Sequence, residues 1–263
     1  CEILGLGCVN QKRAAISFGT TATVTFTTGK YLEPEPFIPP YNAILPGCYT
    51  PEVEIFRGYW LISWFKKEFA QKEVAEAIRL KVQPEEILNK RLKEVPAGCD
   101  GLIMQPYFTP NLTMPEAKGA VIGFSDVHTR IHLYRAIIEG INFALMDGMR
   151  HMEKRGGFRF EEIRVGGGGA QSSEICQITA DMFGIPVVRT QTYEVSGIGS
   201  AIPAFVALGV FGSYKEALRH MVHRKDVFYP DKEQNKVYRR LYEEVYKQIY
   251  PRLSEIYAKI GEI

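Results

Sequence analysis

The sequence has no apolar run long enough to cross a bilayer. Its longest stretches, such as AIPAFVALGVF at 201–211, fall far short of the roughly 20 residues a spanning helix needs. A charged-then-apolar leader with a small-residue cleavage site is also missing, so a cytoplasmic protein is expected. Cysteine is sparse and scattered: Cys1, Cys8, Cys48, Cys99 and Cys176 make an odd set with no pair at CxxC spacing. That pattern fits a reducing compartment and argues against a disulfide framework or a structural zinc site. An excess of one charge is lacking as well. Lys and Arg number 32 against 30 Asp and Glu, interspersed, so nothing points to nucleic acid or a membrane surface. There is no repeat of fixed period and no low-complexity segment. Oligomeric state is not encoded in any visible pattern, and a homodimer stays open.

What is present alternates between two periodicities. Residues 13–28, RAAISFGTTATVTFTT, are rich in Thr, Val, Ile and Phe around Gly19-Thr20-Thr21, which predicts a β-hairpin. Six of the fifteen prolines fall in 31–51, which predicts a long surface connection. Helical spacing follows from Gly58, with Trp60, Trp64 and Phe65 on one face, and again over 84–95, where Pro84 suits a first turn. Short strands are expected at 101–108, 161–165 and 185–190, and 119–124 reads as strand or turn. Between them lie a long helix after Thr129, with a stripe of Ile131, Ala136, Ile138, Ile141 and Leu145, and a helix over 172–184 that Gly184 ends. GIGSAIPAFVALGVF at 197–211 reads as another buried helix. One or two helices close the chain from Asp231, with Tyr238, Tyr242, Tyr246 and Tyr250 as packing residues. Strands alternating with helices give an α/β fold, a mixed sheet flanked by helices.

Four consecutive glycines, Gly166 to Gly169, sit between a strand and a helix opened by Ser172 or Ser173. That position brings backbone N–H groups and the positive end of a helix dipole to one point, which favours phosphate or adenosine contact over a hinge. A P-loop is excluded because no Lys follows the glycines. A dinucleotide fingerprint fails too: its third glycine is absent in both registers, and the next strand reads VVRTQT where an acid belongs. The Gly19-Thr20-Thr21 turn adds a second element able to wrap phosphates with N–H and hydroxyl donors. A hairpin phosphate loop with a distant Gly-rich strand–helix turn is the arrangement of the actin-like ATPase (ribonuclease H-like) fold.

With these elements in place the chain resembles the C-terminal half of the FGGY carbohydrate kinases, the family of xylulokinase, glycerol kinase, gluconokinase and ribulokinase. SFGTTATV is similar to the family's S-x-GT-[ST] hairpin. GLIMQPYF through INFALMD resembles its second signature block, with Gly119, Gly123, His132, Ala136 and Glu139 in register. VGGGGAQSSEICQITADMFGIPVV looks like GGGAxSxxWxQxxADxxGxPV, and EVSGIGSAIPAFVALG like ExxALGAAxLAxxxxG. The motifs cover nearly the whole chain in the family's order.

The resemblance implies ATP and Mg²⁺ as cofactors and a sugar or polyol as phosphoryl acceptor, xylulose by preference. It implies that Gly19, Thr20 and Thr21 meet the outer phosphates and that Gly58 lies near the α-phosphate and ribose. Gly168, Gly169 and Ala170 would pass beside adenosine, with Ser173 near the base. Residues 1–263 would form the nucleotide-binding domain alone, since family members are about twice this length. The family's sugar-binding N-terminal domain and its catalytic Asp are expected upstream of residue 1, the chain alone is expected to be inactive, and no catalytic or metal-binding residue is assigned within it. The other reading is a non-catalytic nucleotide- or sugar-binding module of the same fold. Departures from the pattern are Thr109-Pro110-Asn111 in place of GER, Phe124 for a small aliphatic, and Gly197 for Ala. His128 and His132, four apart, are read as capping or packing rather than metal ligands, and His220 and His223 as surface residues. Asp126 and Asp147 read as capping and solvated positions, and Asp181 as structural.

Overall fold

A computed structural model describes residues 1–262. In chain order its strands are β1 (Arg13–Phe18), β2 (Ala22–Thr25), β3 (Tyr41–Asn42), β4 (Tyr49–Thr50), β5 (Glu52–Ile55), β6 (Ile103–Gln105), β7 (Ala120–Ile122), β8 (Glu162–Gly166), β9 (Val187–Thr190) and β10 (Arg224–Phe228). The helices are α1 (Glu2–Gly5), α2 (Trp60–Phe69), α3 (Gln71–Leu80), α4 (Pro84–Lys90), α5 (Arg130–Gly156), α6 (Ser173–Phe183), α7 (Val195–Ala207), α8 (Tyr214–Met221), α9 (Lys232–Leu241) and α10 (Lys247–Gly261). Residues 1–54, 145–171 and 185–229 form one compact unit, and the described residues 55–144, 172–184 and 230–262 a second.

The main sheet has the order β10-β9-β8-β1-β2-β5 among the described residues. β1, β8 and β9 run parallel, while β2 pairs antiparallel with β1 and β10 with β9. β1 reads AAISF because it is a central strand, with Ala14, Ala15, Ile16 and Phe18 all buried; such strands lose the in–out alternation of an exposed sheet. β10, RKDVF, is one of the two edge strands, and its charges suit an edge. Neither β10 nor α8 is among the elements expected from the sequence.

In the first unit α1 and α7 cross with their backbones in contact. A methyl on Gly5 would overlap the Val195 carbonyl, and one on Gly199 the Cys1 carbonyl. The exposure of α7 corrects the expectation of a buried helix over 197–211. Only Val195, Gly199 and Ile202 of α7 are buried, while Phe205 and, just past its end, Leu208 and Val210 are exposed. The apolar run is buried on one face only: Gly199 admits α1, Val195 and Ile202 pack into the core beside it, and Phe205 lies on the open side.

The second unit is organised around α5, whose stripe Ile131, Ala136, Ile138 and Ile141 is buried as its spacing predicts. One turn of that helix carries a buried ion pair. Arg135 Nε donates to Glu139 Oε1 at 2.7 Å, and its other nitrogens donate to Leu92 O, Val95 O and the Tyr238 hydroxyl. Tyr238 donates in turn to Glu139 Oε1, and the Gly98 amide to Glu139 Oε2. A buried charge pair is tolerable only when its remaining donors and acceptors are met in this way. Tyr238, Tyr242 and Tyr246 are buried packing residues, and Tyr246 stacks on Phe143 with centroids 5.0 Å apart, whereas Tyr250 is half-buried and its hydroxyl donates to Glu116. β6 and β7 pair antiparallel as a separate ribbon. The helical stretch from Gly58 breaks at Ala70 (φ −118°, ψ 32°) and begins at Trp60, so two helices replace one.

The crossing of α1 and α7 makes a contrast between neighbouring glycines testable. Gly199→Ala should cost about 2 kcal/mol or more, because overpacking here meets backbone, which cannot rotate away. Gly197→Ala, two residues earlier in α7 with open space around its Cβ position, should gain up to about 1 kcal/mol from helix propensity. Urea midpoints at unchanged m-value measure both; equal effects would contradict the crossing.

Candidate functional site

In the first unit the parallel register sets two turns side by side. Ser17 of β1 lies opposite Gly166 of β8, so both strands end at the same level. Ligands of open α/β sheets bind outside such carboxyl ends. β1 passes into Gly19-Thr20-Thr21 and returns as β2, with Phe18 opposite Ala22. Thr20 is exposed, while Gly19 and Thr21 are half-buried. β8 leaves through Gly167, whose φ of +80° lies in the region that favours glycine. A Cβ there would stand 2.9 Å from the backbone carbonyl of Phe18. Only a residue without a side chain allows the second turn to rest against the end of β1.

The chain then makes a tight helical turn over Gly168–Gln171. Gly168 is exposed, and a Cβ on it would meet no atom within 4 Å. Gly169 is half-buried and Ala170 buried. Arg189 of β9 ties this turn down from its carbonyl side: Nη1 donates to Ala170 O at 3.2 Å and to Gln171 O at 2.7 Å. Asp226 on β10 holds the same guanidinium, with Nε at 2.8 Å and Nη2 at 2.7 Å. Arg189 is not apparent in the sequence, where VVRTQT shows only the lack of an acid. A lone Arg inside an apolar strand beside a Gly-rich turn was the available signal.

The structure therefore brings Gly19, Thr20 and Thr21 together with Gly168, Gly169 and Ala170 in one unit. Gly58 and Ser173 belong to the second. Gly58 is buried in the turn that leads into α2, where its carbonyl accepts from the Leu61 amide. Ser172 is the N-cap of α6, its hydroxyl accepting from the Ile175 amide at 3.2 Å, and exposed Ser173 is the first helical residue. Gly184 ends that helix at φ +71°. His132 Nδ1 accepts from the Thr129 amide at the start of α5 and His128 Nδ1 from the Ser125 amide, so both histidines cap turns. His220 and His223 are exposed. Asp126 is exposed, and Asp147 pairs with His151 one turn on, at 3.7 Å. Asp181 accepts from the Asp231 amide and from Gln177, joining α6 to the start of α9. Among the described residues no three His, Cys, Asp or Glu side chains converge as a metal site.

A second feature missed in the sequence is a group of acids in the first unit. Glu2 Oε1 would stand 2.8 Å from a Cβ on Gly166, which places this carboxylate at the end of β8. Burial raises its pKa, opposed by a hydrogen bond from Ser17. Glu2 and Glu52 line one cavity of about 230 Å³ with Thr23 and Thr25 of β2. Burial, with the Glu54 and Glu2 carboxylates adding to it, pushes Glu52 up to about 7.

An unfolded Glu titrates near about 4.3, so the folded chain holds this proton more tightly between the two values. Its contribution to stability is complete below about pH 4 and is lost as pH rises towards 7. Glu52→Gln should remove that slope. The variant should melt higher than the parent at pH 8 and no higher at pH 4.5; parallel curves of melting midpoint against pH would refute the assignment.

With this geometry established, similarity to known proteins is informative. The profile of the FGGY family of carbohydrate kinases, C-terminal domain, matches residues 14–208. An uncharacterized sugar kinase of Escherichia coli K12 is 30% identical over 239 residues, 90% of this chain and 48% of that protein. Xylulose kinase of Lactococcus lactis is 30% identical over 237 residues, 88% of this chain and 45% of that protein. The chain thus spans about half the length of the curated relatives it matches. The crystal structure of ligand-bound xylulose kinase from Lactobacillus acidophilus superposes with a TM-score of 0.83 at 21% identity, over 98% of this chain and 51% of that one. That of xylulose kinase from Rhodospirillum rubrum gives 0.82 at 25%, over 98% and 50%. The fold is the actin-like ATPase fold of these kinases, and the chain belongs to the FGGY family of carbohydrate kinases as its C-terminal domain.

Proposed function

We propose that this chain is the nucleotide-binding half of an ATP-dependent kinase that transfers the γ-phosphoryl group of ATP to a hydroxyl of a sugar or polyol, xylulose by preference. The observation that carries the reading is the contact of the Gly167 turn with the end of β1, which sets the Gly19-Thr20-Thr21 hairpin beside Gly168, Gly169 and Ala170. A glycine-threonine turn offers N–H and hydroxyl donors to the outer phosphates without a charged side chain. An exposed Gly168 with open space above it offers a flat backbone face to adenosine. The assignments of Gly58 to the α-phosphate and ribose, and of Ser173 to the base, carry over from the family motifs within the second unit. The xylulose preference rests on the relatives that bear that name.

Phosphoryl transfer depends on positioning and charge stabilisation rather than on covalent chemistry by the protein. The role proposed for this half is to hold the triphosphate in line with the acceptor and to supply backbone donors in a site closed to water. The general base that takes the acceptor's proton is proposed to lie upstream of residue 1, in a sugar-binding half. Mg²⁺ is the proposed companion of the nucleotide phosphates. The described residues do not form a carboxylate cage for it, so no step is assigned to the ion.

The test is ADP release by the full-length polypeptide with xylulose, ribulose, gluconate, glycerol or erythritol. Turnover with xylulose is the expected result. Residues 1–263 alone should bind Mg-ADP without sugar-dependent ADP release; turnover by this piece would contradict the upstream base. Binding without turnover by the full polypeptide would favour a nucleotide-binding module. Gly168→Val should weaken ADP at least tenfold with an unchanged melting temperature, because the new side chain enters only ligand space. Gly167→Val should instead lower stability by about 1–3 kcal/mol, from forced φ and contact with Phe18. Unaltered ADP affinity in Gly168→Val would overturn the placement of adenosine.

A further inference from the structure

A cavity of about 560 Å³ opens in the first unit at the other end of its central strands. Its size lies within the range of small-molecule sites. Four cations line it: Arg13 at the start of β1, Arg164 on β8, and Lys215 and Arg219 on α8. Among the described residues its lining includes no carboxylate. Lys215, Leu218 and Arg219 follow helical spacing i, i+3 and i+4, so one side of α8 presents both cations with an aliphatic side chain, and Val222 just past its end adds a second. Val9 and Leu45 complete an apolar floor.

The cations are in excess of local acid. Glu162 is the partner of three guanidinium groups at once: Arg164 Nε at 2.8 Å, Arg13 Nε at 3.3 Å and Arg224 Nη2 at 2.7 Å. One carboxylate shared three ways leaves the buried end of the cavity positive, and the exposed Lys215 and Arg219 add to the field at its mouth. The Arg164 side chain is only 8% exposed, with Nη1 donating to Leu6 O at 2.7 Å. Gly7, at φ +68°, leaves that guanidinium room: a Cβ there would stand 2.8 Å from Nη1. The guanidinium is thus held in place before any ligand arrives.

We propose that this cavity binds an organic phosphate, its phosphate among Arg13, Arg164, Lys215 and Arg219 and its carbon portion on Val9, Leu45, Leu218 and Val222. Planar guanidinium forks match phosphate oxygens, and a dianion answers a multiply cationic pocket better than a carboxylate does. The site is separate from the proposed nucleotide turns. Arg13 begins β1 and Gly19 follows its end, roughly 20 Å away along six residues of strand.

The experiment is calorimetric titration of the protein with phenyl phosphate, inorganic phosphate and benzoate, each without and with saturating Mg-ADP. Phenyl phosphate should bind one to one, at least tenfold tighter than benzoate and severalfold tighter than inorganic phosphate, with no competition from Mg-ADP. The double variant Lys215→Glu/Arg219→Glu alters only exposed side chains and should keep its melting temperature and ADP affinity. Its affinity for phenyl phosphate should fall at least tenfold. Equal affinity in the double variant, benzoate binding as tightly as phenyl phosphate, or displacement by Mg-ADP would each overturn the proposal. Because Gly168→Val perturbs only the nucleotide turn, unchanged phenyl phosphate binding in that variant separates this site from the ATP assignment.

Discussion

The parallel pairing of β1 with β8 is the constraint on which the first unit depends. Two strands separated by more than 140 residues of chain end level with one another because Ser17 lies opposite Gly166. A slip of one residue would turn every side chain of β8 to the other face and separate the two turns. The register is fixed because a slip would put the Arg164 guanidinium where the fully enclosed Ile163 and Val165 side chains sit. Gly167 then converts a sheet register into a loop contact, because its missing side chain lets the turn rest on the Phe18 backbone. Arg189 fixes the far side of the same turn through two carbonyls. With its carbonyls engaged on the β9 side, the turn is held in one shape by the sheet itself.

The second unit is held together differently. The Arg135–Glu139 pair joins α5, the segment Leu92–Cys99 and α9 through hydrogen bonds from and to buried charges. Replacing one member would leave the other charged and enclosed, which is the costly case for a buried ion pair. Apolar residues of equal volume would pack as tightly without fixing direction. The guanidinium, by contrast, donates to two specified carbonyls and one specified hydroxyl, so it sets register as well as proximity. Tyr238 is a helix-period tyrosine whose ring packs and whose hydroxyl completes the network.

How much of this was legible in the sequence follows from the range of each interaction. The β1–β2 hairpin was visible because Gly19-Thr20-Thr21 interrupts a run of β-formers and its strands are neighbours in the chain. α6 was visible through its caps, Ser172 and Gly184, which act within one turn. The family motifs carried the site residues that local chemistry could not. Less was visible where one face decides. AIPAFVALGVF reads as buried by composition, yet α7 buries one face, through Val195, Gly199 and Ile202, and leaves Phe205 exposed. RKDVF has too many charges to look like a strand, and it is one because it lies at the sheet edge. The Arg189 clamp and the Glu2–Glu52 cavity unite residues distant in sequence, and no local period marks such meetings.

The two ends of the central strands differ in the kind of group they offer, and the difference has chemical meaning. At the carboxyl end the proposed nucleotide turns present backbone and hydroxyl groups, with charged side chains such as Arg189 turned to carbonyls behind them. Neutral, rigid donors suit a group whose charge redistributes during transfer, since nothing has to reorganise as the reaction proceeds. At the amino end, by contrast, side-chain cations outnumber the single carboxylate they share. Mobile point charges such as Lys215 bind a stable anion well but would have to be reoriented at each stage of a moving one. Backbone donors where chemistry is proposed and side-chain cations where only binding is proposed are thus two solutions to two different demands. One sheet can meet both because parallel strands gather their turns at opposite ends.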